Sequence, residues 1–433
     1  MYQHITTDSQ LRGIIPELYK HDIWGVDSET SGLNPHHDKV VLLQIGRPDQ
    51  QFVIDTRKVS PESLRPWMED ERQRKILHNG KFDYKAFRGS FGIELEGIRC
   101  SFLGEKLLNA GRDFKGFSLE AVMKKYLKMD MDKTLQKSFI DHKGDFTSEQ
   151  LQYAANDVKH LLPMYREQCK QIQADGLENV FMIENNAVAA FGDMEFDGMR
   201  IDPVLWRKTL EENREFAKVA LTKMKEVAKE YCDVDLLGEV MINFNSQKQL
   251  LWLLKRMGFK VRVRGRHGEE ELVEIQSTDK ATQKQLRDAP FIKMLGEYRK
   301  YTKLCSAYGE QYLNAVDPLT GRFHPDLGQL DTDSGRPASG DSAVNPLNIP
   351  KDNRYRHAFI AWDGYVVEVD DYCSCELGIW AEISQDPKLL DLFRKGEDPH
   401  CFVASDLYGV KVTKDKKDPN SKLRAPAKAL NFG

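Results

Sequence analysis

Short runs of Val, Ile and Leu dominate the early part of the chain. Residues 23–55 contain "IWGVDSE", "KVVLLQIG" and "QFVIDT", with the turn-forming "RPDQ" between the last two. Each run predicts a β-strand. "KILHNG" predicts a fourth short strand that leads into a helix from about Asp83. The period then becomes helical through "SLEAVMKKYL" and "SEQLQYAANDVKHLLPMYREQCKQI". Strands first, then mixed helix and strand, imply a compact α/β domain ending near residue 174.

Residues 178–232 are patterned as helix, interrupted by "DGMRIDP", a turn that places Pro203 at a helix start. "NFNSQKQLLWLLKRMGF" opens another helix behind an Asn/Ser cap. "KVRVRGRHGEEELVEIQ" alternates and predicts a hairpin, after which "STDKATQKQL" and "FIKMLGEYRKYTKLCSAYGEQYLNAV" return to helix. This basic, helical region is expected to project from the core. The segment "TGRFHPDLGQLDTDSGRPASGDSAVNPLNIP" is rich in Gly, Pro, Ser and Asp, and its length is typical of functional loops. "YVVEVDDYCSCELGIWAEIS" predicts a strand running into a helix. The sequence shows no internal repeat and no low-complexity tract.

Composition adds bounds. A chain of 433 residues, 40% hydrophobic, suits two to four domains with real cores. The net charge of −4 carries no bulk signature of nucleic-acid binding, so local patches must decide. Seven scattered cysteines form no C-x-x-C pair, which implies a reduced, intracellular chain without structural zinc. The opening "MYQHITTDSQLRGIIPELYKHDIWG" lacks an apolar signal core. No stretch approaches the roughly 18 apolar residues of a membrane helix. The expectation is a soluble cytoplasmic protein with no membrane association.

Two sets of residues carry chemistry. Asp27 and Glu29 sit two apart on a strand, so both point to one face. Asp83 follows at the next strand-to-helix junction, and Tyr153 and Asp157 lie four apart on a helix. Taken singly, each acid is explained as a cap or a solvated position. Taken together, converging carboxylates repel unless cations bind. Two divalent ions about 4 Å apart form the clamp for phosphodiester cleavage, with Tyr153 placed to orient water. The second set is Arg424, Lys428 and Phe432 in "KLRAPAKALNFG". Four-residue steps stack them on one helix face, two cations for phosphate and a ring for a base.

The motifs "VDSETSGL", "HNGKFD" and "YAANDV" resemble those of the DEDD-type 3′→5′ exonucleases in their tyrosine variant, as in bacterial DNA polymerase I proofreading domains and ribonuclease D. The resemblance covers about residues 20–174. It implies a ribonuclease H-like fold and a site for two Mg2+ or Mn2+ ions on Asp27, Glu29, Asp83 and Asp157, with Tyr153 catalytic.

The rest of the chain resembles family A DNA polymerases. "DDYCSCELGIW" is similar to the first palm motif, D-Y-S-Q-I-E-L-R. That register implies that Asp371 binds a catalytic Mg2+ and that Glu376 crowds the sugar and rejects a 2′-hydroxyl. "QLDTDSGRPAS" resembles the family's primer-contacting loop with Arg336, "GEDPHCFVAS" places His400 near an incoming nucleotide, and "LRAPAKALNFG" resembles the nucleotide-binding fingers helix. "MEFDGMRID" and "NFNSQKQLLWLL" resemble the thumb, and "YRKYTKL" the helix leading to the palm. Departures are Gly378 for the motif's Arg, Cys373, Ser374 and Cys375 for Ser-Gln-Ile, Pro337 and Ala338 in the loop, and Pro426 in the fingers motif.

The implied layout is an exonuclease domain over 1–174, a helical thumb over 175–319 and a partial α+β palm and fingers over 320–433. Arg262, Arg264, Arg299 and Lys303 are expected on duplex phosphates, although "KVRVRGR" reads equally well as a solvated strand. The implied partners are DNA, as a single-stranded 3′ end and a primer-template duplex, and dNTP. The family's second catalytic carboxylate lies in an H-D-E motif that these residues lack, so polymerisation is expected to need a C-terminal fragment or continuation that carries it. By analogy, proofreading without a 5′ nuclease suits a bacteriophage, hence a bacterial host cytoplasm. The rival readings are a ribonuclease D-like RNA exonuclease and a non-catalytic DNA-binding subunit.

Overall fold

The computed structural model describes residues 2–112, 116–131, 134–140, 142–264, 270–340, 344–415 and 417–432. It divides into two units, Met1–Asp363 and Gly364–Gly433.

The first unit opens with β1 (Tyr2–Ile5) and α1 (Asp8–Leu18). Then come β2 (Ile23–Thr30), β3 (Val40–Gly46), β4 (Gln51–Asp55), the short α2 (Arg65–Met68) and β5 (Arg74–Leu77). Next are α3 (Gly80–Phe91), β6 (Ile98–Cys100), α4 (Ser101–Leu108), α5 (Leu119–Leu127), α6 (Ser148–Lys159) and α7 (Leu161–Ala174). The three predicted strands of residues 23–55 are present, and α7 ends at Ala174. Strands β1 and β6 and helix α1 were not anticipated. Helix α3 starts at Gly80 rather than near Asp83, and the predicted long helix after Thr147 breaks at His160 into α6 and α7.

Six strands form one sheet in the order β1-β4-β3-β2-β5-β6. Strand β3 is antiparallel to β2 and β4; the other pairs are parallel. This is a ribonuclease H-like sheet extended by β1. Alternation sorts its faces. Trp24, Val26, Leu43, Ile45, Phe52 and Ile54 pack on one side with residues of α1 and α3. Leu42 and Val53 pack on the other with Leu151, Tyr153 and Ala154 of α6. A β-bulge follows Glu29.

Helix α8 (Glu178–Asp197), β7 (Arg200–Ile201), α9 (Pro203–Ala228), α10 (Gln247–Arg256) and the hairpin β8 (Lys260–Arg264) and β9 (Glu270–Glu274) continue the unit. Asp202 caps α9 behind Pro203, and Ser246 caps α10. Helices α11 (Lys280–Gln285) and α12 (Pro290–Ala307) follow. The helical stretch has its own core, including Met224, Leu250, Phe291 and Leu295. Helix α12 stops before Tyr308, short of the prediction. Helix α13 (Gln311–Asn314), β10 (Val316–Asp317), β11 (Arg322–Phe323), β12 (Leu327–Gly328), β13 (Ala338–Ser339), α14 (Asn353–Arg356) and β14 (Phe359–Ile360) complete it. The long Gly- and Pro-rich loop is thus pinned by two-residue pairings, β10 with β11 and β12 with β13.

The second unit holds α15 (Cys375–Ser384), α16 (Pro387–Arg394), α17 (Pro399–Tyr408) and α18 (Arg424–Phe432). Here the sequence expectation fails in one place: residues 365–374 form no strand. Val366 and Val369 are exposed at 87% and 83%. A β-branched run becomes a strand only when another strand takes its backbone hydrogen bonds, and none does so among the described residues. No described helix is long and apolar enough to cross a membrane.

Candidate active site

Strand β2 presents Asp27 and Glu29 on the face covered by α6. One carboxylate oxygen each from Asp27, Glu29 and Asp157 lie within 4.8 Å of one another. Among the described residues this is the one Asp, Glu, His and Cys group with the spacing of a metal site.

Two glycines set that spacing. A Cβ on Gly46 would lie 2.5 Å from Val158 Cγ2, and one on Gly25 would lie 2.9 Å from the Val158 carbonyl oxygen. Without side chains there, α6 packs directly on β2 and β3, and Asp157 is carried to the sheet. Ala154 and Ala155, fully buried in the same contact, keep the approach close. The start of α6 is fixed by a capping box between Thr147 and Gln150. One helical turn before Asp157 stands Tyr153, only 7% exposed. Its hydroxyl pKa is driven up by burial and then by the charges of Asp157, Glu29 and Asp27, so the group stays a phenol.

Asp83 arrives from the opposite side of the sheet. Asn79 turns the chain after β5 in the left-handed region, at φ 66°, which Asn tolerates better than most residues. Asp83 then falls in the first turn of α3, 2% exposed. Ser28, between Asp27 and Glu29 but facing the other way, donates from Oγ to Asp83 Oδ1 at 2.6 Å. Burial, and then the nearby Asp27 charge, raises the Asp83 pKa well above the usual carboxylate range. The structure thus brings Asp27, Glu29 and Asp157 together, with the Tyr153 hydroxyl and Asp83 close enough to feel their charges.

In the second unit, Arg424 donates to Asp398, with Nη2 2.8 Å from Oδ2, and Lys414 lies 3.0 Å from the same oxygen. Burial opposes the Asp398 charge, but Arg424, the Cys401 N–H and Lys414 outweigh it and hold the pKa well below the usual range. His400 is buried in the first turn of α17, and burial lowers its pKa, with Arg424 and Lys428 adding to the effect. Lys428 is exposed one turn beyond Arg424 on α18. The Phe432 side chain lies outside the described residues. Pro426 occupies the first turn of α18, where no intrahelical N–H bond is lost. Asp371 and Glu376 are exposed beside the start of α15, and Asp371 belongs to no metal-type group among the described residues.

The basic residues of the helical region differ among themselves. Arg262 is exposed on β8, 3.4 Å from Glu270. Lys303 is exposed on α12, whereas Arg299 is half-buried and donates to the Thr278 carbonyl. Arg336 is exposed in the loop between β12 and β13. The Arg264 side chain lies outside the described residues. Sequence reasoning overlooked Ser28, the paired glycines and Asp398. The first was legible as the middle of "DSE"; the glycines' role depends on which helix covers them.

Comparison with known proteins fits this arrangement. A family model described as 3'-5' exonuclease matches residues 2–173, and one described as DNA polymerase family A matches residues 209–433. DNA polymerase I of Aquifex aeolicus is 28% identical over 456 residues, covering all of this chain and 71% of that protein. DNA polymerase I of Pseudomonas aeruginosa is 28% identical over 450 residues, covering 97% of the chain but 46% of that protein. The thermostable enzyme of Thermus aquaticus is 32% identical over 254 residues, 58% of the chain and 28% of the enzyme. The chain therefore spans between about a quarter and three quarters of these relatives' lengths. The polymerase domain of M. smegmatis Pol1, solved in complex with DNA primer-template and dNTP, shares the fold at a TM-score of 0.75 and 23% identity, covering all of this chain and 71% of that one. Fold and site together define a nuclease-type α/β domain joined to a polymerase-type region. The chain belongs to DNA polymerase family A.

Proposed function

We propose that residues 1–174 remove mononucleotides from the 3′ end of single-stranded DNA, as a proofreading exonuclease. The observation that carries this reading is the convergence of Asp27, Glu29 and Asp157 within 4.8 Å, with Asp83 held beside them by Ser28. Closely spaced, partly buried carboxylates repel one another unless divalent cations neutralise them. Asp27, Glu29, Asp83 and Asp157 would hold two such ions, Mg2+ or Mn2+. When bound, the ions supply a lowered pKa for the attacking water and charge neutralisation at the leaving oxygen. The protein's own part is to hold the carboxylates at that spacing, and to keep Tyr153 protonated so that its hydroxyl orients the water. The test is degradation of a 3′-labelled oligonucleotide with Mg2+ or Mn2+. Asp27→Ala and Asp83→Ala are expected to lower the rate by several orders of magnitude while DNA binding persists. Activity in excess chelator contradicts the reading, and equal turnover of RNA favours the ribonuclease D-like alternative.

The polymerase-type region supports a second part of the reading. Asp371 would hold one catalytic Mg2+, Glu376 would exclude ribose, and His400, Arg424, Lys428 and Phe432 would receive dNTP. Arg336, Arg262, Arg264, Arg299 and Lys303 would follow primer-template phosphates. Nucleotidyl transfer uses two metal-bridging carboxylates, and these 433 residues have no H-D-E motif. Synthesis is therefore proposed to need a segment carrying that motif. The exposed Tyr372, Ile379, Trp380 and Ile383 near α15 are apolar surface suited to packing against it. Primer extension by these residues alone contradicts this part.

A further inference from the structure

Gln44 lies on β3 directly opposite Asp27 of β2. Cross-strand partners share a face, with Cβ atoms about 4.5–5.5 Å apart. The Gln44 carboxamide therefore begins beside the Asp27 carboxylate, on the face that α6 covers. Its other cross-strand neighbour is Val53, packed with Tyr153 and Ala154.

This side chain is fully buried, and neither Nε2 nor Oε1 has a hydrogen-bond partner among the described residues. Such a group is disfavoured relative to a paired one. The neighbours in the strand, Leu42, Leu43 and Ile45, are apolar and equally buried. A leucine at position 44 would suit the core better. Buried Gln168, by contrast, donates from Nε2 to the Ser101 carbonyl at 3.0 Å and leaves only its Oε1 without a partner among the described residues. The unpaired amide thus stands at the one β3 position that faces Asp27.

We propose that Gln44 is a positioning residue for Asp27: in the metal-loaded site its Nε2–H donates to the Asp27 carboxylate and fixes the oxygen that holds the ion. The inference rests on the two-metal reading above. Partners of this kind behind a metal ligand are typically worth 10–100-fold in metal affinity or activity. The amide is retained against the core's preference because its hydrogen bond is made only when Asp27 is held in its liganding position.

The experiment uses the full chain. Mn2+ binding is titrated by calorimetry in wild type, Gln44→Leu and Asp27→Ala, alongside melting temperatures without metal and exonuclease kcat and KM. Gln44→Leu is expected to melt no lower than wild type without metal. It should bind Mn2+ about tenfold or more weakly and lose kcat with little change in KM for DNA. If Gln44→Leu fails to fold, Gln44→Met, which is flexible enough to fit, takes its place with the same readouts. Unchanged Mn2+ affinity and kcat in the folded variant, with Asp27→Ala defective, overturn the role of Gln44 alone. Wild type that binds no Mn2+ overturns the two-metal reading as well.

Discussion

Ser28 Oγ and Asp83 Oδ1 are 2.6 Å apart, joining β2 to α3 across 55 residues of sequence. Ser28 stands between Asp27 and Glu29 yet points to the opposite face, so one tripeptide serves both sides of the sheet. Asp83 is thereby oriented by the same strand that supplies two of the other carboxylates. Ser28→Ala removes this bond, worth about 0.5–1.5 kcal/mol. Exonuclease kcat is expected to fall about 10–100-fold, with KM for DNA little changed. Steady-state kinetics on single-stranded DNA check this; a rate within twofold of wild type contradicts it.

The seating of α6 is testable at Gly46. Its Cβ would stand 2.5 Å from Val158 Cγ2, so Gly46→Ala must displace the Val158 side chain or the helix that carries it. Overpacking of this kind costs about 1–3 kcal/mol. The larger effect is expected on activity, because Tyr153 and Asp157 ride on that helix. Adding Val158→Ala makes room and should restore a measurable part of the rate. No restoration in the double variant would refute the packing argument.

Lys75 gives a pH dependence away from the active site. It is fully buried on β5, with Nζ 2.8 Å from the Asp70 carbonyl and 5.1 Å from the Trp67 ring centre. Burial lowers its pKa to about 7 from the usual 10.5. Between those values the unfolded chain binds a proton that the folded chain does not. Stability therefore rises with pH from about 7 to 10.5, and the full penalty of burying the charge is present below 7. Lys75→Met is expected to remove this slope and to stabilise the protein at pH 6 by about 2 kcal/mol. Urea unfolding at pH 6 and pH 9 reads both effects, and parallel pH profiles for the two proteins would count against the assignment.

Glu195 joins α8 to α3 and to β12. Its carboxylate, buried with the rest of its side chain, receives Lys81 and Lys85 and accepts the Leu327 N–H at 2.7 Å. Removing the shared acid leaves two half-buried cations facing each other. Glu195→Ala is expected to cost about 3–5 kcal/mol, and Glu195→Gln less, because it still accepts from Leu327. Denaturant midpoints check the order; equal losses in the two variants would contradict it.

The sequence by itself determined the parts whose causes are local. Apolar runs set β2 to β4, and the two-residue step placed Asp27 and Glu29 on one face. The four-residue step put Tyr153 and Asp157 on one side of α6, and the Thr147 box fixed where that helix begins. The motifs were legible because metal chemistry demands carboxylates at fixed spacing on such elements. Tertiary structure decided what depends on a partner distant in the chain. Gly25 and Gly46 read as strand weaknesses until Val158 covers them. Gln44 reads as one polar residue in an apolar strand until the β2 register sets it beside Asp27. Strand β1 is short and gains its place by pairing with β4. Residues 365–371 show the converse: valine alternation is necessary for a strand, but the backbone adopts one only where a neighbour accepts its hydrogen bonds.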